Sequence, residues 1–331
     1  MRRLWSLAVV LVVLGAAPAW AKDVVIVYTA LENEQIADYK KAYDKALPNL
    51  DVKILRLSTG DIAARFMAEK DNMQADVIWG VAATNILIFK NAGLLEPYAP
   101  KGLDRVQPLF RDKANPPSWV GIDIYMSAFC FNTEVAKKHT LPAPASWADL
   151  TKPVYKGHVV MPNPASSGTG YLSVVSILQR LGEAKGWEYL DALHKNIAEY
   201  TKSGSKPCKD AASGERGIGV SFEYVAAKAK KEGAPIQMVL PSEGSGYDME
   251  ANALTRKGKS SAAAKQFLDW AITNEAMALY SKYFAAVAVP GFPVPEGLPK
   301  DISKVVFPND FDWSAKNRDR VLAEWTKRYA K

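Results

Sequence analysis

The sequence predicts an α/β protein built as two lobes. β-rich apolar runs alternate with helically spaced stretches over residues 24–91, and the alternation resumes over residues 159–231. The chain has 331 residues, enough for two hydrophobic cores. No Gly/Ser-rich tether parts the two halves, so extended segments are expected to join them as a paired-strand hinge.

Each element follows from local pattern. Residues 24–28 (Val-Val-Ile-Val-Tyr) form a buried strand. From Asn33 to Ala46 the spacing is helical, with Ile36, Tyr39, Lys40, Tyr43 and Leu47 on one face. Residues 52–57 are a second strand and 61–70 a second helix. A short strand over 76–79 leads into a helix over 84–91, with Gly93 as its C-cap. Asn115-Pro116-Pro117 breaks this rhythm, and residues 119–131 are one long extended stretch. After Pro142-Ala143-Pro144, Ser146 caps a short turn over 147–150. The second half reads as strand 159–161, helices 171–181 and 186–196, strand 218–221, helix 224–231 and an extended segment 236–240. A strand over 252–254 and amphipathic helices over 260–272, 275–284 and 316–329 complete the chain. The alternation favours parallel sheets flanked by helices.

The first 21 residues are a leader and not part of the fold. Arg2 and Arg3 precede an uncharged apolar run to Ala17, and Ala19-Trp20-Ala21 supplies a small-x-small cleavage site. The run is shorter than the roughly 20 apolar residues of a spanning helix. The mature chain is expected to start at Lys22 and to be periplasmic. The formal charge of +7 falls to +5 without the leader arginines, and the excess is scattered as a solvated basic face. No nucleic-acid motif accompanies it. Three His and two Cys are too few for zinc clusters, haem attachment or iron–sulfur sites, and no cofactor is expected. In an oxidising compartment Cys130 and Cys208 are expected to pair as a disulfide. The alternative, a reactive thiol, has no candidate base nearby in sequence.

Ligands of α/β sheets sit beyond the carboxyl ends of the strands. There the sequence places small hydroxyl residues: Thr29 to Glu32, Ser58-Thr59-Gly60, Gly80, Ser166-Ser167-Gly168-Thr169-Gly170 and Ser221 to Tyr224. Ser166 to Gly170 follows a strand and opens a helix. Its hydroxyls and free N–H groups form either an anion cradle or an ordinary N-cap. It lacks the Lys of a P-loop. Ser58-Thr59 is open to the same two readings. Glu32 and Glu223 are carboxylates at strand ends that could meet an amine, and Tyr125 and Tyr224 are candidate pocket walls. No Gly-x-Ser-x-Gly elbow or metal-spaced His pair occurs, so no catalytic residue is assigned. A secreted phosphate-ester hydrolase is the alternative from a different class; it needs a nucleophile with a base, or a metal site. A structural or adhesive exported protein would not require hydroxyl-rich strand ends.

The leader, residues 27–32 (Val-Tyr-Thr-Ala-Leu-Glu) and residues 76–80 (Asp-Val-Ile-Trp-Gly) resemble the periplasmic solute-binding proteins of ABC importers. The branch is the one that includes ferric-ion-binding proteins. Residues 145–157, 164–171 and 219–224 are similar to that branch's second-domain opening and pocket loops. Residues 28–32, 204–208 and 221–224 are similar to the 2-aminoethylphosphonate-binding subgroup.

The resemblance implies a type II periplasmic binding fold with a hinge and an interlobe cleft. Lobe one would hold residues 22–124 and about 240–288, and lobe two about 125–239 and 289–331. It further implies a monomer that hands its solute to permease subunits at the inner membrane. Ferric-binding relatives use adjacent tyrosines where this chain has Glu223-Tyr224, which leaves a lone phenolate for an iron site and suits a ligand ammonium. The implied ligand set is Thr29, Glu32, Ser58, Thr59, Gly80, Tyr125, Ser166, Ser167, Gly168, Thr169, Glu223, Tyr224 and Asp248. The hydroxyl loops would hold the phosphonate, and Glu32, Glu223 or Asp248 would take the amine. Ferric ion, phosphate esters, polyamines and thiamine-like solutes are the alternatives within the class.

Overall fold

The chain begins with three parallel strands, β1 (Asp23–Thr29), β2 (Leu50–Arg56) and β3 (Val77–Ala82), each followed by a helix: α1 (Asn33–Ala46), α2 (Thr59–Ala68) and α3 (Ala83–Asn91). This is a computed structural model, and it describes residues 21–329. The leader expected over residues 1–21 therefore lies outside the described residues, except for Ala21. A two-residue strand, β4 (Leu95–Glu96), and the long β5 (Val120–Asn132) follow.

The second half contains α4 (Thr133–His139), β6 (Val159–Pro162), α5 (Gly168–Leu181), α6 (Glu183–His194), β7 (Ile197–Thr201), α7 (Lys206–Ala212), β8 (Ile218–Phe222), α8 (Glu223–Lys231) and β9 (Ile236–Val239). The chain then returns through β10 (Tyr247–Thr255), α9 (Ala262–Trp270), α10 (Asn274–Tyr280) and β11 (Ala286–Val287). It ends in α11 (Phe311–Tyr329).

The strand order is β2-β1-β3-β10-β5-β8-β6-β7. The outer strands on both sides are parallel, as the alternation predicts. The centre is not: β10 runs antiparallel to both β3 and β5, and β5 antiparallel to β8. These are the strands through which the chain passes from one half to the other, so the mixed direction follows from the crossing.

All thirteen residues of β5 are buried. Its residues 120–126 pair with β10, and residues 127–131 pair with β8. One strand therefore serves two sheet halves, and the two lobes meet along it.

Each half has its own core. In the first, Tyr39, Tyr43, Trp79, Phe267 and Trp270 pack largely edge to face, with centroids 5.3–6.2 Å apart. In the second, Phe129, Trp147, Leu178, Val220 and Trp325 lie between α5, α6, α11 and the sheet. Helix α11 touches both. Its Phe311 meets the ring of Tyr247 at 5.5 Å and Ala315 joins the first core, whereas Val321, Trp325 and Tyr329 belong to the second.

Cys130 of β5 and Cys208 of α7 form a disulfide, with Cα atoms 5.2 Å apart. Helix α7 lies tight on β8 because Gly219 has no side chain; a Cβ there would sit 2.1 Å from the Pro207 carbonyl oxygen.

Candidate functional site

A cavity lies where α1, α2 and α5 begin, over the central strands. Its enclosed space is about 40 Å³, and about 490 Å³ with the open mouth included. Seven of the residues expected from sequence line it: Glu32, Ser58, Thr59, Tyr125, Ser167, Gly168 and Thr169. Ala30, Gln35, Arg56, Ala82, Gly204, Phe222 and Glu250 complete the lining.

Helix starts supply most of the donors. The first turn of an α-helix leaves N–H groups without intrahelical partners, and its dipole favours a negative charge there. Helix α2 starts at Thr59 after Ser58, whose side chain makes no capping bond. Helix α5 starts at Gly168 after Ser167, whose Oγ accepts a hydrogen bond from the Gly170 N–H at 3.2 Å. At α1 the end is already occupied: Glu32 and Gln35 form a reciprocal capping box, with the Glu32 N–H donating to Gln35 Oε1 at 2.8 Å. Glu32 also pairs with Arg56 at 3.2 Å. Gln35 keeps a buried Nε2 with no partner, a further donor on the cavity wall.

The two lobes are in contact around this cavity. The Gly60 N–H donates to the Ser166 carbonyl at 2.9 Å. A Cβ on Gly60 would lie 2.1 Å from the Ala165 carbonyl oxygen, so only glycine permits this approach. Lys202–Asp61 at 3.4 Å, Lys209–Glu32 at 3.9 Å and Lys228–Glu34 at 3.9 Å add ion pairs at the rim. Exposed pairs of this kind are each worth at most about 1 kcal/mol.

The remaining expected residues lie outside the lining. Thr29 Oγ1 accepts from the Leu31 N–H at 3.2 Å. Gly80, at φ +59°, lies under Leu31, and its N–H donates to Asn252 Oδ1 at 3.0 Å. Ser166 donates to the Lys202 carbonyl at 2.8 Å. Tyr224 donates to Glu34 at 3.3 Å. Asp248 accepts from Thr84 Oγ1 and from its neighbour Met249 N, both at 2.7 Å. Glu223 accepts from Met126 N at 2.8 Å while its second oxygen is buried and unpartnered.

The central strands carry an unusual number of carboxyls. Asp123, Glu223 and Asp248 are buried, and Glu250 stands opposite Asp123 across the β5–β10 pairing. Burial pushes Glu223 up to about 8 and Asp248 up to about 7. Asp123 and Glu250 are raised well above the carboxylate range, first by burial and, for Asp123, next by the adjoining Glu250. Glu250 and Gln35 escape a reading of strand ends because one is mid-strand and the other a turn inside its helix. No sequence signal marks Glu250: it precedes the strand expected over 252–254, and its partner Asp123 is adjacent only through pairing. Among the described residues, no cluster of three or more His, Cys, Asp or Glu has the arrangement of a metal site.

Comparison with known proteins gives a consistent result. The profile of the bacterial extracellular solute-binding protein family matches residues 74–314. A protein of Haemophilus influenzae named only as uncharacterized is 36% identical over 278 residues, 82% of this chain and 79% of that one. A probable ABC transporter periplasmic-binding protein of Sinorhizobium fredii is 28% identical over 322 residues, 92% of this chain and 85% of its own. Among solved structures, the periplasmic binding protein AfuA of Actinobacillus pleuropneumoniae, with exogenous fructose-6-phosphate bound, superposes with a TM-score of 0.86. It is 30% identical, and the match covers 93% of this chain and 99% of that one. Iron-bound HitA of Pseudomonas aeruginosa, at 19% identity and a TM-score of 0.78, covers 91% of this chain and 99% of its own and shares the fold. The two-lobed architecture, the cleft between helix starts and the family match agree: the chain belongs to the bacterial extracellular solute-binding proteins.

Proposed function

We propose that this protein is the periplasmic solute-binding component of an ABC importer, and that it captures 2-aminoethylphosphonate in the interlobe cleft without turning it over. The observation that carries the reading is the polarity of one cavity. The starts of α2 and α5, with Ser58, Thr59, Ser167, Gly168 and Thr169, offer neutral donors to an anion. A carboxyl, Glu250, lines the same space. A small zwitterion uses both ends.

In this reading the leader is cleaved after Ala21 and the monomer docks on permease subunits at the inner membrane. The lobes have the sequence-derived bounds, 22–124 with about 240–288 and about 125–239 with 289–331. Closure brings Gly60 against Ser166, and release requires that contact to part.

A sugar phosphate is the second reading, favoured by the AfuA structure with its bound fructose-6-phosphate. The same helix starts would serve its phosphate. Calorimetry with 2-aminoethylphosphonate, fructose-6-phosphate, ferric ion, spermidine and thiamine separates the candidates. One-to-one binding of the aminophosphonate is expected, with a stability gain of about 2.7 kcal/mol at 100 times the dissociation constant. Tight binding of fructose-6-phosphate with none of the aminophosphonate would replace this reading by the second.

A further inference from the structure

Glu250 differs from Glu32, the other carboxyl on the cavity wall, in having an enclosed oxygen without a partner. Glu32 is held by Arg56 and by its own capping box. Asp248 accepts from Thr84 and Met249. Glu250 lines the cavity, yet its Oε2 is enclosed and makes no hydrogen bond. Behind it, at the paired position on β5, Asp123 is fully buried with neither oxygen partnered. Glu223 is a further buried carboxyl with one unpartnered oxygen, whereas Glu250 itself is half-buried. Among the described residues no Lys or Arg forms an ion pair with any of these three. The nearest cation on the cavity wall, Arg56, is engaged by Glu32 and by the Leu31 carbonyl at 3.0 Å.

Buried carboxyls without a counter-charge are costly, and such groups ordinarily hold a proton or a cation. Between Asp123 and Glu250 a shared proton satisfies one oxygen of each. Of these carboxyls, Glu250 is the one that also lines the space into which a ligand enters.

We propose that Glu250, backed by Asp123, receives the cationic nitrogen of the ligand, a primary ammonium on the same small molecule whose anionic end lies at the starts of α2 and α5. This rests on the reading of the cavity as an aminophosphonate site, and it moves the amine contact from the strand-end carboxylates to the middle of β10. Asp123 acts as a positioning residue, holding Glu250 through the proton they share.

The test compares two probes, 2-aminoethylphosphonate and ethylphosphonate, which differ only in the amine. In the wild-type protein the first should bind more tightly by roughly tenfold to a hundredfold, the worth of a charge-assisted hydrogen bond. Glu250→Gln, which keeps the side-chain shape, should reduce that ratio to within a few-fold of unity. Asp123→Asn should reduce it less. Retention of the full ratio in Glu250→Gln would overturn the assignment and leave the aminophosphonate reading intact. A wild-type protein that binds both probes equally would overturn it too, with no variant needed. Binding of neither probe would overturn the reading of the ligand, and the amine site with it.

Discussion

Two helix starts face each other across the cleft, and they are built differently. At α5 the hydroxyl of Ser167 caps its own helix through the Gly170 N–H. At α2 the hydroxyl of Ser58 caps nothing, and the next residues, Thr59 and Gly60, meet the opposite lobe instead. The α5 turn is thus secured within its own lobe, whereas the α2 turn is completed by something across the cleft, either the other lobe or a solute. A Ser/Thr/Gly turn at a strand end can serve folding, binding or both, and the partner of the serine hydroxyl separates the cases.

Substitutions can break this contrast, the largest effect first. Gly60→Ala places a Cβ where the Ala165 carbonyl stands, so the closed contact cannot form. Affinity should fall by at least roughly a hundredfold, with the melting temperature nearly unchanged. Calorimetry measures the first and scanning calorimetry the second; wild-type affinity would show that closure does not depend on this approach.

Glu223 belongs to neither turn and supplies a control of another kind. Its carboxyl is raised to about 8 by burial, so the folded chain holds a proton that the unfolded chain releases above its ordinary 4.5. Stability is therefore lost as pH rises from about 4.5 to 8. Glu223→Gln removes that loss and should stabilise the ligand-free protein by roughly 3 kcal/mol at pH 7, with little gain near pH 4. Urea unfolding at both pH values reads the difference, and an equal gain at both would refute the buried-proton account.

Ser58→Ala and Thr169→Ala remove hydroxyls that line the cavity without capping a helix. Each should weaken ligand binding by about tenfold to a hundredfold while stability stays the same. Ser167→Ala is expected to show the reverse balance, a stability loss of about 1 kcal/mol with a smaller change in affinity. Should Ser58→Ala destabilise and Ser167→Ala leave stability untouched, the division between the turns is the wrong way round.

Much of the fold was legible because its early elements carry strong local patterns. Tyr39 and Tyr43 mark the buried face of α1, and the extended run over 119–131 is visible as one β-rich stretch. Helix α7 was hidden by Lys-Pro at its start, which reads as a turn although Pro is well tolerated in a first helical turn. Strand β7 escaped because its exposed Ala198 and Glu199 weaken the apolar signal. Of the cavity, the hydroxyl turns could be read because helix starts have a sequence signature. Glu250 could not: it lies within β10, and its importance comes from Asp123, which is 127 positions earlier in the chain and adjacent only through pairing. The antiparallel centre was equally invisible, since strand direction is set by where the chain crosses and not by which residues form the strand.

The long strand β5 has a consequence for how the molecule comes apart. Its first seven residues are a central strand of one sheet half and its next five an interior strand of the other, without a loop between them. Neither half can be excised as an autonomous fragment, because a cut on either side of Met126 leaves one sheet with an open middle. Loss of order in one half withdraws a template from its neighbour. Thermal denaturation should accordingly register as a single cooperative event, although the protein has two cores, and chains split near residue 126 should regain structure only when both pieces are mixed.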